Sequence, residues 1–194
     1  MPGQDTGFEM RRFEALSNTI FGVAMTLLAY DIPRRQLTTD TPDWAALWST
    51  YESPLLALLL GFIIAGLFWY SHQRRLVYAP EGTRLAVVGN LMFLLSIVAL
   101  PLSTGLYGRY PNAPDIIALF AIHLAAISSF NLILWVMAAG PRHDWDALGA
   151  PVFASIVFAI GIVVAFLSPS DAKYVWPLAF GSTVLASYLE RRHA

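Results

Sequence analysis

Residues 12–32 read RFEALSNTIFGVAMTLLAYDI, and this stretch decides how the whole chain is interpreted. It opens with charge at Arg12 and Glu14, and the run between Asn18 and Asp31 carries no charged residue. That run is shorter than the roughly 20 residues that a helix needs to cross a bilayer. The polar start of the stretch therefore lies at or inside the membrane boundary, where polar side chains are costly and usually mark a function.

The composition indicates a single membrane domain covering residues 1–194. Hydrophobic residues make up 57% of the chain and charged residues 13%, whereas a soluble domain carries roughly 25% charged residues. The net charge of −1 gives no reason to expect a nucleic-acid partner. The absence of cysteine excludes disulfides, thiolate metal sites and thiol catalysis. The first ten residues lack the basic start of a signal peptide, so we expect the first apolar run to remain in the mature protein.

Six apolar segments, separated by turn-forming and charged residues, predict an all-α integral membrane protein with a six-transmembrane-helix bundle. The predicted spans are residues 9–32, 54–75, 84–106, 115–139, 146–167 and 172–189. Each is close to the length that crosses the hydrocarbon core. In the loop before the second span, Trp44, Leu47 and Trp48 recur at helical spacing. They predict a short, separate helix lying at the membrane interface.

Six spans place both termini on the same side of the membrane, and the distribution of basic residues selects that side. With a cytoplasmic N-terminus, the inner segments hold Arg11, Arg12, Arg74, Arg75, Arg84, Arg142, Arg191 and Arg192. The outer segments then hold only Arg34, Arg35, Arg109 and Lys173. The positive-inside rule therefore predicts a multi-pass protein of the cell membrane with both termini in the cytoplasm.

Polar residues recur at one depth, near the inner ends of the first three spans. These residues are Ser17, Asn18, Trp69, His72 and Asn90. If the three helices pack together, Ser17, Asn18, His72 and Asn90 can form one hydrogen-bonded cluster, each bond contributing about 0.6 kcal/mol in a membrane. The alternative is that each side chain bonds only within its own helix.

The sequence gives no reason to expect an enzyme, because its remaining histidines form no catalytic arrangement and the known catalytic motifs are missing from it. His123 lies in the middle of the fourth span, where it is either a proton relay or, as we favour, a neutral histidine bonded to a neighbouring helix. His143 and Asp144 form a lone pair in a loop, which is weak evidence for a metal site. The sequence has no HExxH motif, no glycine-rich phosphate loop and no nucleophile elbow.

The first helix divides into two faces when its residues are placed at 100° intervals. One face is apolar with two threonine hydroxyl groups and no charge, and it consists of Thr19, Val23, Thr26, Leu27 and Tyr30. The other consists of Ser17, Phe21, Ala24 and Leu28. The first face has the chemistry of a narrow pore that closes by dewetting, but only several copies around an axis can enclose a pore. The alternative is ordinary contact with lipid or with another helix.

The first three spans resemble the signature of the transmembrane protein 175 family, the endosomal and lysosomal potassium channels and their prokaryotic relatives. The family pattern R-x-x-x-F-S-D is matched by Arg12, Leu16, Ser17 and Asn18, followed by the apolar run and Asp31. The pattern W-x-N-H-H is matched by Trp69-Tyr70-Ser71-His72-Gln73. The patterns N-L and P-F-x-T are matched by Asn90-Leu91 and Pro101-Leu102-Ser103-Thr104. The second half of the chain agrees only in its layout.

The resemblance implies a homotetramer whose first helices line a cation pore, with a ring of aliphatic side chains as the constriction. It implies that Val23 forms this ring and that Thr26, Leu27 and Tyr30 line the pore next to it. It implies K⁺ as the permeant ion, no cofactor, and membrane lipids and the chain's own copies as partners. It also implies a network that packs the motif, formed by Arg12, Ser17, Asn18, Trp69, His72 and Asn90.

The sequence departs from the family pattern at a few positions. Leu16 and Asn18 replace the aromatic residue and the acid, Gln73 replaces the second histidine, Val23 is smaller than the usual isoleucine, and Tyr30 replaces an aliphatic residue. Asn18 still donates and accepts hydrogen bonds, but it cannot neutralise Arg12.

These observations favour a homotetrameric, potassium-permeable cation channel with a hydrophobic constriction at Val23 and Leu27 and a hydroxyl layer at Thr26. We expect modest selectivity for K⁺ over Na⁺, because no K⁺-channel-type filter sequence is present. One alternative is a non-conducting membrane protein with a structural or partner-binding role. A small secondary transporter is a third possibility, but the two halves of the chain show no convincing internal repeat.

Overall fold

The computed structural model describes residues 5–30, 41–78, 84–139 and 146–182, together with positions 184 and 188; of residues 5–12, 77, 78 and 84 it describes only the backbone. Every element in these ranges is helical, as the sequence predicts. The α-helices are α1 Asp5–Leu27, α2 Trp44–Tyr78, α3 Arg84–Arg109, α4 Pro114–Ala139, α5 Gly149–Leu167 and α6 Ala172–Val175. Short 3₁₀ segments are Asp146–Leu148, Pro169–Asp171 and Trp176–Phe180.

Four of the described helical stretches are long and apolar enough to cross a bilayer. They are Trp44–Leu76, Leu85–Arg109, Pro114–Ala139 and Asp146–Leu167. The protein is therefore an integral membrane protein. The first and last of the six predicted spans do not meet this criterion within the described part of the chain. α1 has a polar start and ends at Leu27, and the last span is interrupted.

The first helix begins and ends earlier than the predicted range 9–32. It covers Asp5–Leu27, and residues 28–30 form a turn. In that turn Ala29 N donates to Thr26 O at 3.2 Å and Tyr30 N donates to Leu27 O at 3.0 Å, so the last turn is tightened. Asp31 and residue 32 lie outside the described residues.

The prediction of a separate interfacial helix before the second span is wrong. Trp44 is the first residue of α2, which continues for 35 residues through Pro54 to Tyr78. Asp43 caps this helix, because its Oδ1 accepts a hydrogen bond from Ala46 N at 2.8 Å. At 1.5 Å per residue α2 is about 52 Å long, longer than the roughly 30 Å hydrocarbon core. One end of α2 therefore extends beyond the bilayer.

The other predicted spans differ from the structure mainly at their ends. α3 runs to Arg109 rather than residue 106, α4 begins one residue earlier than predicted, and the fifth span begins as the 3₁₀ segment Asp146–Leu148. The predicted last span, 172–189, is not one α-helix in its described part. α6 ends at Val175 and changes to 3₁₀ geometry at Trp176–Phe180, where Pro177 has no N–H for an α-helical bond.

The core lies along α3 and α4, with α1 and α2 packed on one side and α5 on the other. Aromatic rings connect the helices. Phe93 of α3 is 6.0 Å from Phe21 of α1 and 6.3 Å from Phe68 of α2, between ring centroids. Phe68 is 5.8 Å from Phe158 of α5. These contacts fix α1 against the bundle by its buried face only.

A second aromatic group holds the last helical segment in place. Trp176 is completely buried and makes edge-to-face contacts with Tyr107 of α3 at 5.1 Å and Phe120 of α4 at 4.9 Å. The Tyr107 and Phe120 rings stack 5.0 Å apart. Aromatic pairs with this geometry contribute about 0.5–1.5 kcal/mol beyond their buried area. The change from α-helical to 3₁₀ geometry after α6 therefore does not detach the last helical segment from the bundle.

Candidate pore helix and its packing network

The first helix turns one face to the bundle and leaves the other exposed. The buried face consists of Ser17, Phe21, Ala24 and Leu28, none more than 7% exposed. The opposite face consists of Thr19, Val23, Thr26, Leu27 and Tyr30, all of which are exposed in the single subunit. Val23 is 53% exposed and Leu27 is 44% exposed. The structure thus places the five predicted pore-lining residues together on the exposed side of α1; we call this side the α1 stripe.

The two threonines of the α1 stripe use their hydroxyl hydrogens within the helix. Thr19 Oγ1 donates to Ala15 O at 2.8 Å, and Thr26 Oγ1 donates to Val23 O at 2.8 Å. A hydroxyl has one donor and two acceptor lone pairs. Since the donor is occupied, each oxygen presents acceptor capacity to whatever lies beyond the α1 stripe, which suits a cation better than an anion.

Asn18 joins the inner part of α1 to α2. Its Oδ1 accepts a hydrogen bond from Trp69 Nε1 at 3.0 Å and a second from Gln73 Nε2. One amide oxygen therefore receives two donors that lie one helical turn apart on α2. This arrangement brings two predicted network residues, Asn18 and Trp69, into contact and adds Gln73.

The prediction that Ser17, Asn18, His72 and Asn90 form one cluster is wrong. Ser17 Oγ donates to Phe13 O at 2.9 Å, so its bond is local to α1. Asn18 binds α2 separately, as described above. His72 and Asn90 belong to a different group, centred on a residue at the end of the predicted second span that was counted only among the basic residues of the inner segments. The Arg12 side chain lies outside the described residues.

That central residue is Arg75, whose side chain is only 4% exposed. Arg75 Nη2 lies 2.6 Å from His72 Nδ1 and donates to Asn90 Oδ1 at 2.8 Å. Nη1 donates to Asn131 Oδ1 of α4 at 3.3 Å. The guanidinium carbon also lies 5.4 Å from the Phe93 ring centroid, within the range of a cation–π interaction. One fork-shaped side chain therefore joins α2, α3 and α4.

Two further side chains extend this network across α2 and α4. Ser71 Oγ accepts from Asn131 Nδ2 at 3.0 Å and from Trp135 Nε1 at 2.8 Å. Asn131 is thus fixed on both sides, by Arg75 through its oxygen and by Ser71 through its nitrogen. The sequence signal for this group was available, because Ser71 and Arg75 are four residues apart on α2 and Asn131 and Trp135 are four residues apart on α4.

His123 binds the neighbouring helix α3 within the same subunit. Its Nδ1 lies 2.7 Å from Ser103 Oγ and its Nε2 lies 3.0 Å from Ser96 O. Both ring nitrogens therefore have partners, and the ring links α3 to α4. His143 lies outside the described residues. In the described ranges, no group of three or more metal-ligating side chains comes together.

Comparison with known proteins links this architecture to one family. Residues 12–101, which cover most of α1 through the first part of α3, match the family model described as the endosomal/lysosomal potassium channel TMEM175. A crystal structure of a TMEM175 homologue from Chamaesiphon minutus, described as a lysosomal potassium-selective channel, superposes with a TM-score of 0.71. That match has 26% identity and covers 95% of this chain and 97% of the other.

Curated relatives agree with that match. A potassium channel of Streptomyces collinus is 28% identical over 137 residues, and a potassium channel of Chamaesiphon minutus is 27% identical over 180 residues. The zebrafish protein named endosomal/lysosomal proton channel TMEM175 is 26% identical over 142 residues. The matches cover 63% of the Streptomyces protein, 88% of the Chamaesiphon protein and 26% of the zebrafish protein. In its motifs, its helical architecture and these matches, the chain is similar to the TMEM175 family, a family of channels and not of enzymes.

Proposed function

We propose that the protein is a potassium-permeable cation channel formed by four copies of the chain, in which α1 of each copy lines a central pore. The observation that carries this proposal is the α1 stripe. It is largely apolar, carries the hydroxyl groups of two threonines and one tyrosine and no charge, and is exposed on a helix whose opposite face is completely packed. A membrane helix with this division has an exposed face that other copies around an axis can cover.

The chemistry of the α1 stripe assigns a role to each level of the pore. Val23 and Leu27 form a hydrophobic constriction, where a narrow apolar ring blocks ions when it is dry. Thr26 lies between them and supplies four hydroxyl oxygens, one from each copy, whose hydrogens are already directed to the Val23 carbonyl groups. A K⁺ ion that loses part of its hydration shell at the constriction regains oxygen contacts from this ring.

The contacts that α1 makes with α2 and α3 support the pore from the side of α1 that faces away from the pore axis. Asn18 fixes the inner part of α1 to α2, and Phe21 packs on Phe93, whose neighbours include His72 and Arg75. A rigid α1 is required because a hydrophobic constriction depends on pore radius, and its ring must be held at one distance from the axis.

The relatives support potassium as the permeant ion. Two bacterial proteins similar to this chain are named potassium channels, and the superposed crystal structure is described as potassium-selective. We assign this protein the same class of ion and a modest preference for K⁺ over Na⁺, because the chain has no carbonyl-lined filter sequence of the K⁺-channel type. The channel needs no cofactor besides the permeant ion, and it lies in the cell membrane with both termini in the cytoplasm.

Flux into liposomes tests this proposal. Purified protein is reconstituted in vesicles with a K⁺ gradient, and flux is followed with a potential-sensitive dye and with a separate internal pH dye. The second dye is included because vertebrate relatives are named proton channels. We expect K⁺ flux that scales with protein content and persists when the pH gradient is zero. Flux of protons alone, or no flux in either assay, contradicts the proposal and favours a structural or partner-binding protein.

The oligomeric state gives a second, independent test. Mass photometry or native mass spectrometry in detergent should give four times the mass of the 21.4 kDa chain plus bound lipid. A stable monomer in several detergents contradicts a pore lined by α1, because one copy of the helix cannot enclose an ion path.

A further inference from the structure

Gly61 of α2 lies where three helical segments meet. A Cβ atom at this position would lie 2.8 Å from Thr104 Cγ2 on α3 and 2.9 Å from Cδ2 of Leu28, the residue that follows α1. Thr104 is 2% exposed and Leu28 is 7% exposed, so neither side chain has solvent to move into. Carbon atoms in contact prefer separations of about 3.5–4.0 Å. Only a glycine at position 61 therefore lets the three segments approach as closely as they do.

This lack of space for a Cβ atom is specific to position 61 and is not a general property of α2. A Cβ atom at Gly66, five residues further along the same helix, would meet nothing within 4 Å. α2 and α3 also cannot separate freely to relieve the crowding. At their next contact a Cβ atom at Gly108 would lie 2.8 Å from Ala57 Cβ, and Ser53 Oγ donates to Gly108 O at 3.0 Å.

Of the two side chains facing Gly61, Leu28 is the one that can yield. Thr104 is β-branched and lies within a helix, which restricts its rotamers. Leu28 belongs to the terminal turn of the α1 segment, where Leu28 N donates to Ala24 O at 3.2 Å. A group added at position 61 would therefore displace Leu28, and with it the end of α1, by about 0.6 Å, the difference between 2.9 Å and an ordinary carbon contact of about 3.5 Å.

We propose that Gly61 and Thr104 form a steric stop that sets the distance of the outer end of α1 from the pore axis, with Leu28 resting against the stop. This inference rests on the channel function proposed above. Thr26 lies about 160° from Leu28 around the helix, on the opposite and exposed side, and the exposed Leu27 lies about 100° from Leu28. A shift of Leu28 away from α2 therefore carries Leu27 and Thr26 towards the axis. Gly61 is a positioning residue, since it acts on the permeating ion only through α1.

The first experiment measures single-channel K⁺ conductance in planar bilayers. Gly61→Ala should lower the conductance at least twofold, because four displaced helices narrow one constriction. Gly66→Ala is the matched control and should leave the conductance within the scatter of the unmodified protein. Equal conductance for Gly61→Ala and the unmodified channel overturns the proposal, as does an equal effect of the two alanine substitutions.

A rescue separates transmission through Leu28 from a general spreading of α2 and α3. Leu28→Val removes the Cδ2 atom that a Cβ at position 61 would meet, whereas Thr104→Ser removes the Cγ2 atom. The double variant Gly61→Ala/Leu28→Val should conduct like Leu28→Val alone. Rescue by Thr104→Ser and not by Leu28→Val overturns the role of Leu28.

A distance measurement tests the stop without any ion flux. The chain has no cysteine, so a spin label at Ala29→Cys is the only label in each copy. In the assembled protein, Gly61→Ala should shorten the distance between opposite labels by about 1 Å, twice the displacement of one helix estimated from carbon contacts, and Gly66→Ala should not. Unchanged distances overturn the stop even if the protein conducts. A shortened distance in a protein that carries no K⁺ shows that the stop exists and that the proposed channel function is wrong.

Discussion

Gln73 and Asn18 are hydrogen-bonded to each other, and they are two of the positions at which this chain departs from the motifs of the TMEM175 family. An asparagine stands where the family has an acid, and a glutamine stands where it has a second histidine. The contact between them gives the two departures one explanation. Both residues are neutral amides, so the link between α1 and α2 at this point carries no charge.

The first prediction concerns this amide pair. Asn18→Ala should lower the stability of the protein by about 1 kcal/mol, because it removes the acceptor of two hydrogen bonds that contribute about 0.6 kcal/mol each in a membrane. Thermal unfolding in detergent, followed by tryptophan fluorescence, measures the change. Asn18→Asp keeps the accepting oxygen and should lose less stability. An equal loss for both variants would show that the acceptor is not what matters at this position.

The second prediction concerns the link through Arg75. Arg75→Lys keeps the positive charge but loses the fork that reaches His72, Asn90 and Asn131 together. We expect a loss of about 2 kcal/mol, since hydrogen bonds to charged groups contribute about 1.5–3 kcal/mol each. Arg109→Lys, at an exposed position of α3, is the control and should change stability by less than about 0.5 kcal/mol. Wild-type stability for Arg75→Lys would mean that a point charge is sufficient at the centre of this network.

A third prediction tests the constriction directly. Val23→Ala should raise K⁺ conductance and weaken selectivity against Na⁺, because four smaller side chains leave a wider and more easily wetted ring. Single-channel recording with K⁺ and Na⁺ on opposite sides measures both quantities. Leu95→Ala on α3 is a suitable control, because Leu95 is 61% exposed but lies outside the α1 stripe. Unchanged currents for Val23→Ala would place the constriction elsewhere.

The fourth prediction separates the hydroxyl of Thr26 from its volume. Thr26→Val has nearly the same shape but no oxygen, so K⁺ conductance should fall several-fold as the partly dehydrated ion loses its contacts. Thr26→Ser keeps the oxygen and should conduct like the unmodified channel or better. If Thr26→Val conducts normally, the ion keeps its water at this level and the Thr26 ring has no role in permeation.

Several features of the fold were predictable because they depend on neighbours along the chain. The hydropathy of the segments indicated a helical membrane protein, and the spacing of residues in α1 separated the buried face from the exposed one. Ser17, Phe21, Ala24 and Leu28 are buried for the same reason that they share a face, namely the 3.6-residue period of the helix. Asp43 is a residue type that caps helices, and its bond to Ala46 N accounts for the start of α2 at Trp44.

The partners of the polar residues were not predictable in the same way. Depth in the membrane placed Ser17, Asn18, His72 and Asn90 at one level, but depth does not specify the rotation of each helix about its axis. Ser17 instead bonds within α1, and Asn18 contacts Trp69 and Gln73. A buried arginine was also difficult to recognise, because Arg75 lies at the end of a span where basic residues normally face the cytoplasm.

The sequence by itself determined the class of the protein, the motifs that resemble those of the TMEM175 family, and the two faces of α1. These are properties of composition and of periodicity along one helix, and packing is not needed to define them. Only the tertiary structure decided that Arg75 joins three helices, that Asn18 is paired with Gln73, and that Gly61 lies against Leu28 and Thr104. Each of these contacts joins residues distant in the chain, and it depends on helix rotation and on the close approach of backbones, which local patterns do not specify.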